Sequence, residues 1–187
     1  MVLTIVGHAL LSRSESPTRM SRVDVEYFRA EFYDRMVRDI DREIAWQRTN
    51  PNAFAGNVLC ALGPVVYTEV LGRVAIQQFE GRQPANRHAF EAFLRRMGAA
   101  YDVWRRAWER KHRRSVYDAL RNGLAHEYVP KVGSKVWFYF EPQEGFGLGE
   151  ESEYPLVLKM RPYFDDFRKA GDALMGELTK KTATGMR

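Results

Sequence analysis

Phe28, Phe32, Met36, Ile40 and Ile44 recur at every fourth position, and this repeat constrains the fold more than any other feature of the chain. An apolar stripe at that interval lies along one side of a helix and does not fit the two-residue alternation of a half-buried strand. Ser21 followed by Asp24 has the form of a reciprocal N-terminal cap. A long amphipathic helix is therefore predicted from Ser21 to near Thr49, where Asn50-Pro51-Asn52 breaks it.

Similar spacing continues along the chain. Small residues (Ala53, Ala55, Gly56, Ala61, Gly63) suit close helix packing, and Val66, Val70 and Val74 then resume the helical interval. Pro64 lacks a backbone donor, which predicts a kink or split there. After Gly81-Arg82-Gln83-Pro84, a third helix carries Phe90, Phe93, Leu94, Met97 and Tyr101, with Trp104 and Trp108 on its continuation. A fourth holds Val116, Leu120 and Leu124 and is stopped by Pro130 and Gly133. The aromatic and β-branched runs 136–140 and 156–160 read as an antiparallel β-hairpin, with Gly145-Phe146-Gly147-Leu148-Gly149 as a flexible loop between them. A last helix, Pro162 to Leu178, aligns Phe164, Phe167, Leu174 and Leu178.

The expected fold is mainly α: an antiparallel helical bundle with a small C-terminal β-hairpin near 132–160 and a final helix. Residues 21–180 form one domain, flanked by a poorly ordered tail over 1–20 and another over 181–187.

Charge narrows the range of partners. Between Arg105 and Arg121 lie seven basic residues against two acidic ones, an excess equal to the whole net charge of +5. Arg105, Arg106, Arg110, Lys111, Arg113 and Arg114 are thus the candidate nucleic-acid-binding residues, since clustered cations attract a polyanion such as RNA. A solvated helix face is the alternative use of the same charges. Glu141, Glu144, Glu150, Glu151 and Glu153 form a contrasting acidic stretch. The single cysteine, Cys60, sits among apolar residues, as a small buried thiol would, and points to a reducing, cytoplasmic setting. The apolar run from Val2 to Leu11 is interrupted by His8 and preceded by no basic residue, so neither a signal peptide nor a membrane span is expected.

Chemistry concentrates in Arg121-Asn122-Gly123-Leu124-Ala125-His126. On a helix, Asn122 and His126 project from one face and Arg121 can reach the same pocket. Histidine exchanges a proton near neutral pH, and arginine holds a phosphate in a bidentate fork. Without metal ligands, such a set suits RNA, whose 2′-hydroxyl is an internal nucleophile. No metal or cofactor is expected; His88 and His112 lack partners at ligand spacing. Capping of helix-end carbonyls by Arg121 and His126 is the purely structural use of the same residues.

Arg121-Asn122-x-x-x-His126 resembles the Arg-x4-6-His motif of the HEPN superfamily (higher eukaryotes and prokaryotes nucleotide-binding), and the resemblance spans about Ser21 to Tyr128. It implies a HEPN-like bundle whose motifs face each other across a homodimer to form a metal-independent endoribonuclease site, as in toxins and phage-defence proteins. Arg121 would then stabilise the phosphate, His126 would transfer protons and Asn122 would support them. RNA is the implied partner, with an antitoxin or other restraining protein beside it. Many members bind without cutting. The alternative is a non-enzymatic helical module that binds a protein or a nucleotide.

Overall fold

The computed structural model describes residues 19–50, 54–122, 136–139 and 146–184, and it is mainly helical. Of the predicted tail over 1–20, residues 1–18 lie outside these residues, as do the Pro51-Asn52 break, Pro130 and Gly133; Met20 N–H donates to Gln78 Oε1 at 2.9 Å.

The first helical run comprises α1 (Arg22–Tyr27), a π-helical segment π1 (Phe28–Tyr33) and α2 (Asp34–Thr49), without interruption. Its start is the predicted reciprocal cap: Asp24 N–H donates to Ser21 Oγ at 3.2 Å, and Ser21 N–H donates to Asp24 Oδ2 at 2.8 Å. A strict four-residue repeat drifts by about 40° per step on an α-helix of 3.6 residues per turn. The wider i→i+5 turns of π1 absorb part of that drift. The buried register is accordingly Val25, Phe28, Tyr33, Met36, Ile40 and Ile44. Tyr33 replaces the predicted Phe32 in the core, while Phe32 is half-buried, stacking on Phe28 and meeting Tyr67 edge-on.

The central helix, α3 (Phe54–Glu80), packs against α2 and against the later segments Asn86–Met97, Tyr117–Asn122 and Met160–Thr184. It runs unsplit through Pro64. One turn on, Thr68 Oγ1 donates to the Pro64 carbonyl at 2.8 Å and lies 2.7 Å from the Tyr163 hydroxyl. Cys60 belongs to α3, but its side chain is outside the described set. A close helix approach is made at Gly72, where an added Cβ would fall 1.9 Å from the Ala89 carbonyl oxygen.

The predicted third helix is in fact two, α4 (Asn86–Met97) and α5 (Ala99–His112). Gly98 separates them at φ +150°, a conformation open essentially to glycine. Arg113, left-handed at φ +51°, ends α5 within the basic cluster. The segment π2 (Tyr117–Asn122) follows. The antiparallel hairpin is corrected as well. β1 (Val136–Tyr139) and β3 (Leu156–Lys159) pair in parallel, and β2 (Leu148–Gly149) pairs antiparallel on the other side of β3, giving the order β1-β3-β2. The connection is long enough for the crossover that parallel strands require. Nor is Phe146–Gly149 a flexible loop. Phe146 packs edge-on against Tyr101 and Trp104, Leu148 is buried, and a Cβ on Gly147 would strike Tyr163 Cα at 2.3 Å.

β3 passes directly into α6 (Met160–Thr184), where Phe164, Phe167, Leu174 and Leu178 are all buried as predicted; the helix runs past the predicted end at Leu178 and takes in residues 181–184 of the predicted tail. Among the described residues, no helix is long and apolar enough to cross a membrane.

Candidate functional site

Arg121 rides on π2, whose inner side is fixed by the buried Tyr117, Ala119 and Leu120, with the buried Val116 just before it. The entry to this segment is capped twice. Asp118 N–H donates to Ser115 Oγ at 2.9 Å, and Val116 N–H donates to Glu109 Oε1 at 3.0 Å. From this support the Arg121 side chain reaches back to α3, where its Nε lies 2.6 Å from Glu69 Oε2. The approach is an ion pair rather than an aligned hydrogen bond. Its guanidinium carbon also sits 5.9 Å from the centre of the Tyr117 ring.

Glu69 is 6% exposed, so its charge requires partners. Oε2 accepts from the Tyr117 hydroxyl at 3.2 Å, and Oε1 lies 3.5 Å from Arg73 Nη2. Arg73 is fixed in turn by Asn86 Oδ1 at 2.5 Å and the Pro84 carbonyl at 3.4 Å. Burial and the nearby Glu69 carboxylate push the Tyr117 hydroxyl above its ordinary pKa against the opposing pull of Arg121, so it stays a neutral donor. Only three charged residues occur in α3: Glu69, Arg73 and Glu80. A charged pair one turn apart, inside a stretch otherwise free of charge from Phe54 to Phe79, is the sequence signal that marks Glu69 and Arg73.

Of the predicted trio, Arg121 is placed by this cluster. The Asn122 side chain and His126 lie outside the described residues. The α-helical geometry assumed for the motif does not hold where it begins, because Arg121 and Asn122 belong to the π-helical segment.

The basic set divides by environment. Arg105 is 7% exposed and faces inward, with Asp102 Oδ1 at 2.8 Å, Glu109 Oε2 at 2.7 Å and Glu91 Oε1 at 3.4 Å. It belongs to an internal ion-pair hub, which corrects its expected place on an outward phosphate-binding face. Hydrogen bonds from Arg105, and then from Arg106, hold the Asp102 carboxyl below its ordinary pKa despite desolvation. Arg106, Arg110 and Arg113 are exposed, and Arg114 is half-buried. Lys111 Nζ and His112 Nε2 meet Glu150 Oε1 at 2.9 and 2.6 Å, so Glu150 lies against the basic end of α5. Trp108 stacks beside Trp104, is buried and donates to the Pro155 carbonyl, which makes it a packing residue. His88 lies against Arg82. Among the described residues, neither His88 nor His112 joins a group of side chains able to hold a metal.

No known protein family, curated protein or solved structure matches this chain.

Proposed function

We propose that the chain is a HEPN-like RNA-binding protein that acts as a homodimer and cuts RNA without a metal. The observation that carries this reading is the Glu69–Arg121 ion pair. A buried carboxylate holds the arginine of the Arg121-Asn122-x-x-x-His126 motif in one orientation before any ligand arrives. Glu69 engages the inner Nε, which leaves a phosphate to be held end-on by the two terminal nitrogens.

In this mechanism His126 takes the proton from a ribose 2′-hydroxyl, and the freed oxygen attacks the adjacent phosphorus. The bond to the 5′-oxygen breaks, that oxygen takes up the proton held by His126, and a 2′,3′-cyclic phosphate remains. Arg121 offsets the charge that develops on the phosphate oxygens. The exposed Arg106, Arg110 and Arg113 draw the strand in. A cytoplasmic toxin or phage-defence role, restrained by a partner protein, is proposed together with this activity.

A second reading, a non-enzymatic interaction module, is favoured by Glu150, which already occupies Lys111 and His112. The experiment that separates the two incubates purified protein with RNA in EDTA. The nuclease reading expects cleavage, cyclic phosphate ends and loss of both in His126→Ala. Intact RNA, or undiminished cutting by that variant, would overturn it.

A further inference from the structure

Glu69, Arg73 and Arg121 present an imbalance of charge. One buried carboxylate serves two guanidinium groups among the described residues, with Arg121 on one oxygen and Arg73 toward the other. The remaining partners of Arg73, Asn86 Oδ1 and the Pro84 carbonyl, carry no charge. Among the described residues the cluster therefore holds a surplus of one positive charge. The Glu69 side chain is sealed at 7% exposure, while those of Arg73 and Arg121 both reach the surface at 16%. Surplus cation at the rim and compensating anion beneath it is the layout of an anion site.

We infer that Arg73 and Arg121 together bind one RNA phosphodiester, and that Glu69, set between them from below, is the positioning residue that holds both in register. The inference rests on the RNA reading above for the source of the phosphate, and it adds two residues that the motif does not contain. Glu69 touches no substrate in this arrangement. It fixes two flexible side chains whose ordering would otherwise oppose binding, and its partial neutralisation of the pair keeps two like charges together beside the buried face of α3. Tyr117 completes the seat, its hydroxyl on Glu69 and its ring beneath Arg121.

The test follows the arginine Nε–Hε resonances of the full-length protein by NMR, first with inorganic phosphate and then with a short single-stranded RNA. The Arg73 and Arg121 signals should shift together with either ligand. Arg73→Gln should weaken RNA binding about tenfold and reduce the slope of log K against log salt by about one. Arg73→Lys should restore the slope without restoring the full affinity, because a point charge lacks the fork. Glu69→Gln should bind RNA within about threefold of wild type, since the cations remain, yet lower kcat far more than it changes KM.

If Glu69→Gln does not fold, the two Arg73 variants carry the test. Unchanged RNA affinity and salt slope in Arg73→Gln would overturn the inference, as would phosphate shifts confined to other arginines. Phosphate shifts at both arginines in a protein that neither binds nor cuts RNA would instead uphold the two-arginine site and sink the RNA reading.

Discussion

Gly72 meets the backbone of Ala89 so closely that an added methyl would lie 1.9 Å from the carbonyl oxygen and 2.6 Å from the carbonyl carbon. Neither atom can swing aside, because both belong to the first turn of α4. Gly72 is also next to Arg73 and one turn from Glu69, so this contact sets the distance from the acidic seat to Asn86. Gly72→Ala should destabilise the fold by about 3 kcal/mol, the upper end of ordinary overpacking. Gly176→Ala, with nothing within 4 Å of its added Cβ, should stabilise α6 by about 0.5 kcal/mol. Urea unfolding of the two variants gives opposite signs if the close approach is real; equal effects would contradict it.

Tyr101 joins the sheet to the bundle through its hydroxyl, which donates to Asp166 Oδ2 at 2.7 Å and accepts from Gly147 N–H at 3.0 Å. Burial and the Asp166 hydrogen bond raise its pKa far above the ordinary tyrosine value. Tyr101→Phe strands the Gly147 donor and should cost about 2 kcal/mol. Hydrogen exchange should locate that loss at Gly147, whereas unchanged protection there would refute the linkage.

Asp102 gives the fold a defined response to acid. Its folded-state pKa is depressed, so the unfolded chain takes up the proton first as pH falls. The stabilisation is complete above the unfolded carboxyl value, about 3.9, and is lost as pH falls through the lower folded value. Wild type should therefore be more stable than Asp102→Asn at neutral pH, and the gap should close in acid. A gap that stayed constant from pH 7 to pH 3 would show that Asp102 is not the group responsible.

Glu150 should restrain the basic end of α5. Desolvation opposes its ionisation, but hydrogen bonds from Lys111 and His112 hold its pKa below the ordinary value. It is therefore charged at neutral pH and competes with phosphate for Lys111 and His112. Glu150→Gln should tighten RNA binding at low salt by up to about fivefold, the range of an exposed ion pair, with the advantage fading as salt screens it. Weaker binding by this variant would mean that Glu150 orders Lys111 and His112 for RNA instead of occupying them.

Much of the bundle was legible because its signals are local. The Ser21–Asp24 cap and the apolar face of α6 depend on residues within a few positions of one another, and both occur as expected. Arg105 was misplaced because a run of cations reads as a solvated face. Yet it falls four residues after Tyr101 and three before Trp108, on the buried stripe of α5, and that register could have placed it. The parallel pairing of β1 with β3 and the seating of Arg121 on Glu69 are contacts between distant segments, which no local spacing encodes.

The shift of register at π1 can be tested at adjacent residues. A regular four-residue stripe makes Phe32 a core position and leaves Tyr33 beside it. The π-helical turns instead bury Tyr33 at 1% exposure, with its hydroxyl 2.9 Å from the Arg168 carbonyl and its ring filling the space left by Gly171. Tyr33→Ala would open a large cavity against α6 and abandon that carbonyl, at about 4 kcal/mol. Phe32→Ala should cost about half as much, since its ring is only half-buried between Phe28 and Tyr67. Chemical denaturation of the pair decides the matter: a larger loss at Phe32 would restore the regular stripe and remove the π-helical segment from the folded protein.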